Sequence, residues 1–132
     1  MKYFTIAELC KSETADAHSI DNRCNADHIV NLTNMVDNVL DPLRAAWGKP
    51  IRVNSGYRSP ELNKKVGGAA TSQHLKGEAA DITAGSKGEN KKLFELVQSL
   101  NLPYDQLLNE SDYSWVHISH RHGNNRKQVL HL

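Results

Sequence analysis

Apolar residues recur at steps of three and four through the stretch 29–47, which predicts the longest helix of the chain. The positions that share this face are Ile29, Leu32, Val36, Val39, Leu43 and Trp47. Positions with this spacing lie on one side of an α-helix. Pro42 stands inside the pattern, and we expect it to kink or split the helix because proline has no backbone N–H to donate. Gly48 and Pro50 then end the helix.

Shorter patterns predict further helices and a set of strands. Thr5 and Glu8 have the spacing of a capping box at a helix start, and Ser59 followed by Pro60 opens a helix over 60–66. A helix over 91–100 turns its apolar side inward, with Leu93, Leu96, Val97 and Leu100 on that side. Apolar runs predict strands at 51–55, 79–83, 106–109, 115–119 and 126–132, whereas the polar stretch 11–25 predicts a surface loop.

Together these elements predict one α+β domain over 1–132, a small antiparallel sheet with helices packed on it. A length of 132 residues suits a single domain, and 39% hydrophobic with 23% charged residues is typical of a soluble protein. The formal net charge is +1 without a polybasic block, and only 6% of residues are aromatic, so nucleic acid is not an expected partner. We expect a monomer.

The chain carries no run of about 20 apolar residues that would predict a membrane span. Glu8 stands too early for the apolar core of a signal peptide, so we expect synthesis in the cytoplasm without one. Cys10 and Cys24 form no CxxC pair and are too few for a disulfide framework. Free thiols in a reducing compartment are the favoured interpretation, and one disulfide near the N-terminus is the alternative.

Three residues offer a set of metal ligands: His74, Asp81 and His117. A catalytic zinc site uses three protein ligands and leaves the fourth position to water. Two neutral imidazoles and one carboxylate leave the site with a net charge of +1, which keeps the metal a Lewis acid. Small residues between the first two ligands, Gly77 among them, let the backbone fold tightly around an ion. The spacing alone also suits an ordinary buried histidine, so a metal site is one of two interpretations at this point.

Three segments, "SGYRSPELNKKVGG", "SQHLKGEAADI" and "WVHIS", together resemble the zinc D-alanyl-D-alanine carboxypeptidase family. The family signature Ser-x-His-x-x-Gly-x-Ala-x-Asp stands here at Ser72, His74, Gly77, Ala79 and Asp81. The segment "YDQLLNE" before the last strand is similar to the short, phage-type branch. The resemblance covers about 27–130 and implies a fold shared with lysostaphin and the hedgehog signalling domain.

The resemblance also implies roles for individual residues. His74, Asp81 and His117 match the ligands of one Zn²⁺. Arg58 matches the arginine that holds a substrate carboxylate or carbonyl oxygen, and a guanidinium suits both tasks. Ser72 and Gln73 match positions near the substrate, although Ser72 could equally cap its own turn.

One position departs from the family pattern, and it concerns the general base. Many relatives place an acidic residue three positions before the last ligand, where this chain has Ser114. Glu110 is the favoured replacement and Asp112 the alternative. If neither serves, the protein would be an inactive zinc-containing binding module of the same fold. His120 and His122 are expected to end the strand, solvated or as outer partners of the site.

The resemblance implies a zinc-dependent peptidase that hydrolyses peptide bonds in the stem peptides of bacterial peptidoglycan. It does not separate a D-Ala-D-Ala carboxypeptidase from an endolysin-type endopeptidase. The family's habits further imply a phage or prophage enzyme that reaches the cell wall after holin-type release.

Overall fold

A five-stranded sheet with helices packed around it organises this computed structural model, which describes residues 1–132. The helices are α1 (Ile6–Cys10), α2 (Glu13–Ala17), α3 (Ala26–Met35), α4 (Asp41–Trp47), α5 (Pro60–Lys65) and α6 (Lys87–Ser99). The strands are β1 (Arg52–Ser55), β2 (Ala79–Thr83), β3 (Gln106–Glu110), β4 (Trp115–Ser119) and β5 (Gln128–His131). The predicted α+β class is confirmed. No helix combines the length and the apolar character needed to cross a membrane.

The strand order is β1-β2-β4-β3-β5, and the sheet is mixed where a fully antiparallel one was expected. Strands β1 to β4 pair antiparallel, but β5 runs parallel to β3 with Gln106 beside Gln128. The reason is the connection over 120–127, which carries the chain from the end of β4 back to the start of β3. There Lys127 N–H donates to the Tyr104 carbonyl, so β5 begins level with β3 and follows its direction.

The long predicted helix is split, as Pro42 indicated. Helix α3 passes through one π-helical turn, Val36–Leu40, directly into α4, and Pro42 stands in the first turn of α4. Its inner face is fully buried in the middle but not at the ends. Ile29, in the first turn of α3, is 39% exposed, and Trp47, the last residue of α4, is half-buried.

Helix α6 begins four residues earlier than predicted. The Ser86 hydroxyl accepts from Glu89 N–H and caps the helix at that point. Leu93 and Val97 are buried as expected, but Leu100 is exposed because it lies just past the last turn.

The N-terminal segment contradicts the favoured interpretation of its cysteines. Cys10 and Cys24 form a disulfide, with their Cα atoms 6.4 Å apart. The segment between them is not a plain loop, since it contains α2 with Ser12 as its cap. Helices α1 and α3 contact each other, and both cysteines pack against the core to which these helices contribute, which brings them within disulfide reach.

One face of the sheet is apolar and buried, and the other carries polar side chains. Side chains alternate along a strand, so Ile82, Val116 and Ile118 point into the core beneath the helices, where all three are fully buried. Asp81 directly precedes Ile82, and His117 lies between Val116 and Ile118, so both point to the opposite face. That face therefore carries the residues with metal-binding side chains, bordered by the end of α5.

Asp105 stabilises the turn that leads into β3. Its side chain is fully buried and accepts hydrogen bonds from Arg126 at the backbone N–H (3.0 Å), Nε (3.0 Å) and Nη2 (2.7 Å). These hydrogen bonds outweigh burial and lower the pKa of the Asp105 carboxyl from 3.8 to about 2. Because the folded pKa lies below the unfolded one, the stabilisation is complete above about pH 4 and disappears as the pH falls through about 2.

We therefore expect Asp105→Asn to reduce the free energy of unfolding at pH 7 by about 2 kcal/mol. The deficit relative to wild type should shrink as the pH falls from about 4 toward 2. Urea unfolding at pH 7, 4 and 3 measures it. Asp112→Asn is the matched control, because Asp112 is 85% exposed and should show no such dependence. A deficit that is constant with pH would contradict the ionic role of Asp105.

Candidate metal centre

His74 is buried on a short 3-10 helix, Gln73–Lys76, directly before β2. Ser72 caps this helix by accepting from the His74 N–H, and Gly77 ends it at φ 74°, a conformation that glycine adopts without strain. A Cβ at Gly77 would also approach the His28 carbonyl oxygen to 2.8 Å. The turn that presents His74 therefore depends on glycine at this position.

The ring of His74 is oriented by a backbone carbonyl. Its Nδ1 donates to the Gly56 carbonyl oxygen at 2.6 Å, which leaves Nε2 as the nitrogen with the free lone pair. Nε2 is buried and has no hydrogen-bond partner. A donor atom held in this way, with its second nitrogen bound to a carbonyl, is typical of a metal-ligating histidine.

Asp81 and His117 face the same point from neighbouring strands. The antiparallel register pairs Asp81 of β2 with His117 of β4. His117 Nδ1 lies 2.9 Å from Asp81 Oδ1, and His74 Nε2 lies 3.4 Å from Asp81 Oδ2. The ligand atoms of the three residues all lie within 4.8 Å of one another. This arrangement suits a single ion among three ligands.

The electrostatics of the group match a divalent cation. Burial acts to raise the pKa of the Asp81 carboxyl, but the hydrogen bond from His117 and the proximity of His74 outweigh burial and hold that pKa well below its usual range. Asp81 is therefore ionised. One carboxylate, two imidazoles and the unpaired Nε2 of His74 form the ligand set that zinc takes in catalytic sites, so the residues present fit the metal.

Arg58 borders the three ligands on one side. Its side chain is 15% exposed and donates from Nε to Ser55 Oγ (3.0 Å), from Nη1 to Asn63 Oδ1 (3.4 Å) and from Nη2 to Asp81 Oδ2 (3.1 Å). Burial lowers the pKa of the guanidinium and the charge of Asp81 opposes that effect, but an arginine remains charged in either case. A guanidinium has five N–H donors, so two stay free for a ligand in the cleft.

A cleft of about 560 Å³ opens over this group. Glu110 and Trp115 line it on the side of β3 and β4, where the register sets them opposite each other. Leu108 of β3 is paired with His117 of β4, so their side chains lie on the same face of the sheet. Glu110 is two residues after Leu108, and its carboxylate therefore lies on that face as well. Of the two predicted bases, Glu110 therefore borders the cleft.

Asp112 lies elsewhere. It occupies the middle of a turn in which Ser111, Asp112 and Tyr113 all have positive φ. Its carboxylate is 85% exposed and its nearest cation is Lys87, at 3.9 Å. Ser114 also points away from the ligands, since its hydroxyl donates to the Ser111 carbonyl.

The remaining predicted residues divide between the cleft and the protein surface. Ser72 and Gln73 both line the cleft, and both polar ends of the Gln73 amide are buried without a partner. His120 is buried at the end of β4 with Nδ1 donating to the Pro103 carbonyl, and His122 is exposed. These two histidines do not join the ligand group.

A sequence model of the Peptidase M15 family matches residues 2–119. The chain belongs to the Peptidase M15 family. It is also 41% identical over 88 residues to the zinc D-Ala-D-Ala carboxypeptidase of Streptomyces albus G. That alignment covers 64% of this chain but only 32% of the relative, so this chain corresponds to about a third of the longer protein. The family resemblance of the motifs is confirmed at this level, and the chain is a homologue of a zinc peptidase.

Sequence inspection missed the residues that hold Arg58 and His74 in place. Ser55, Gly56 and Asn63 all stand inside "SGYRSPELN", the segment that drew attention for its arginine alone. Their polar groups could have been noticed there, but their partners depend on the turn after β1, which no periodicity describes. Gly56 is also required sterically, because a Cβ at this position would overlap the Leu9 carbonyl oxygen.

We expect the purified protein to bind about one zinc ion per chain. His74→Ala should weaken zinc binding by more than about 100-fold, because it removes a ligand rather than one of the outer partners, whose loss costs 10- to 100-fold. Elemental mass spectrometry and competition with a chromogenic chelator measure the effect. His122→Ala is the control and should bind zinc as wild type does. Equal binding by both variants would show that the three residues do not form the site.

Proposed function

We propose that the protein is a zinc-dependent peptidase that hydrolyses peptide bonds in the stem peptides of bacterial peptidoglycan. The observation that carries this proposal is the convergence of His74, Asp81 and His117 beside Arg58 in one cleft. Membership of the Peptidase M15 family supports the reaction class. The name of the Streptomyces relative, a D-Ala-D-Ala carboxypeptidase, supports the substrate class.

The chemistry of the site divides between the metal and the side chains around it. When bound by these three ligands, zinc would polarise the scissile carbonyl as a Lewis acid and lower the pKa of a coordinated water. The two free N–H groups of Arg58 can then donate hydrogen bonds to a carboxylate of the substrate, or to the oxygen of the scissile carbonyl on which negative charge develops. The other three donors of Arg58 bind Ser55, Asn63 and Asp81, and these hydrogen bonds orient the guanidinium toward the ligand group.

Glu110 is the proposed general base. Its carboxylate would take a proton from the attacking water and pass it to the nitrogen of the leaving group. The support is positional: Glu110 ends β3 opposite Trp115, on the cleft side of the sheet. In this proposal Glu110, on the strand next to β4, takes the role of the acid that many relatives carry where this chain has Ser114.

Ser72 and Gln73 would contact the substrate backbone. The Ser72 hydroxyl already accepts the His74 N–H and retains its own O–H to donate. The amide of Gln73 offers one donor group and one acceptor for a peptide unit, and it would meet the substrate after its buried side chain turns toward the cleft. A carboxypeptidase would use Arg58 on the terminal carboxylate, whereas an endopeptidase would use it on a carbonyl oxygen.

A cell-wall substrate requires that the protein act outside the cytoplasmic membrane. Holin-type release from a phage- or prophage-bearing cell is the route we propose. The Cys10–Cys24 disulfide supports an oxidising site of action, because such bonds persist outside the reducing cytoplasm. Expression in bacteria with and without a holin tests the route, since the culture should lyse only when the protein and the holin are expressed together.

The decisive experiment incubates the protein with purified peptidoglycan and with synthetic stem pentapeptide, each with and without a chelator. We expect release of D-alanine or of a stem fragment, abolished by the chelator and restored by added zinc. The mass of the product separates a carboxypeptidase from an endopeptidase. A zinc-loaded protein that binds peptidoglycan without releasing any product would instead support the inactive binding module.

We expect Glu110→Gln to lower kcat by about 100- to 10,000-fold, the contribution of a positioned general base. Its zinc content should match wild type, because Glu110 is not among the ligands. Asp112→Asn, in the turn that follows Glu110, should leave kcat unchanged because its side chain is exposed to solvent and does not line the cleft. If instead Asp112→Asn is the slow variant, the assignment of the base is wrong.

A further inference from the structure

The backbone that carries Arg58 lies outside every helix and strand. Residues 56–59 connect β1 to α5, and no ladder of hydrogen bonds fixes them. Their N–H groups instead donate to distant parts of the chain. Tyr57 N–H donates to the Leu9 carbonyl (2.8 Å) and Arg58 N–H to the His74 carbonyl (3.0 Å). The position of Arg58 therefore depends on tertiary contacts.

Asn22 provides the contacts on both sides of Arg58. Its Nδ2 donates to the Tyr57 carbonyl at 3.1 Å, and its Oδ1 accepts from the Ser59 N–H at 2.7 Å. The Tyr57 carbonyl and the Ser59 N–H belong to the peptide groups immediately before and after the Arg58 Cα. A single amide side chain thus restrains the φ and ψ torsions of Arg58, which set the direction of its side chain.

The Cys10–Cys24 loop holds Asn22 in turn. Asn22 lies two residues before Cys24, and its Nδ2 also donates to the Cys10 carbonyl at 2.9 Å. The disulfide therefore closes a loop whose inward-facing amide reaches the Arg58 segment. Asn22 itself neither lines the cleft nor contacts any of the three ligands.

We propose that Asn22 is a positioning residue for Arg58, acting from the disulfide-closed N-terminal loop through the peptide groups of Tyr57 and Ser59. Asparagine suits this task because it supplies two N–H donors for two carbonyls and an oxygen for one N–H. Aspartate keeps the acceptor for Ser59 but loses both donors. The role in catalysis rests on the proposed function, whereas the role in placing the guanidinium does not.

The first test observes Arg58 directly. In wild type, its Nε–H donates to Ser55 Oγ inside a side chain that is only 15% exposed. We expect its NMR signal to be resolved and slow to exchange with water. In Asn22→Ala this signal should exchange rapidly, and in Asn22→Asp at an intermediate rate. Arg23→Ala, whose side chain is 89% exposed and contacts only Asp21, is the control and should retain the slow signal.

The second test uses kinetics. Asn22→Ala should lower kcat/KM by about tenfold, the effect of losing one or two net hydrogen bonds, with unchanged zinc content. The change should fall on the same parameter, kcat or KM, that Arg58→Ala alters. In an Arg58→Ala background Asn22→Ala should have no further effect, because non-additivity of this kind marks residues that act as a unit.

The outcomes separate the two proposals. A slow Arg58 Nε–H signal in Asn22→Ala, or an equal tenfold loss in both backgrounds, would overturn the positioning role. A wild-type protein that binds zinc but hydrolyses nothing would remove the proposed function, while the NMR signal still decides the role of Asn22. If Asn22→Ala fails to fold, Asn22→Asp answers the same questions, because it retains the contact to Ser59.

Discussion

The buried carboxylate of Asp81 is the interaction on which the site depends. A buried charge is costly unless it is paired, and Asp81 is surrounded by two imidazoles and a guanidinium at distances of 2.9 to 3.4 Å. Each of these partners comes from a different element: the turn before β2, the neighbouring strand β4, and the segment after β1. Asp81 thus unites parts of the chain that share no local structure, and a metal ion at the same point would reinforce the same convergence.

The sheet makes this convergence possible by assigning separate tasks to its faces. Alternate residues of β2 and β4 enter the core, where Ile82, Val116 and Ile118 are fully buried. Their neighbours then face the cleft at fixed positions, because a slip of one residue would exchange the two faces. Hydrophobic burial on one side therefore fixes the geometry of the polar side, including the placement of Glu110 opposite Trp115.

The sequence predicted those features that depend on periodicity or on a local signal. The strands at 79–83 and 115–119 were predicted with their observed bounds, and Pro42 marked the division of the long helix. His74, Asp81 and His117 were proposed as a set, and the fold brings them together. The parallel pairing of β5 with β3 was missed because strand direction depends on the route of the connection over 120–127, which has no pattern of its own.

Other features could not be predicted because their cause lies far away in the chain. The pairing of Cys10 with Cys24 depends on how α1 and α3 pack on a common core. Asn22 stands in a polar stretch that looks like any surface loop, and its partners Tyr57 and Ser59 are more than thirty residues distant. A hydrogen bond between two irregular segments has no counterpart in local sequence spacing.

The long sequence separations within the site have a consequence for how the protein matures. Asp81 and His117 are 36 residues apart, and Arg58 and Asp81 are 23 apart. Contacts of such separation form only after long loops have closed, which makes them slow to assemble. A chain that has not yet paired β2 with β4 therefore lacks the third ligand, His117, beside Asp81, and a preformed metal site rarely exists before folding. Metal uptake should be among the last events of maturation, and the bound metal a signature of chains that have completed their sheet.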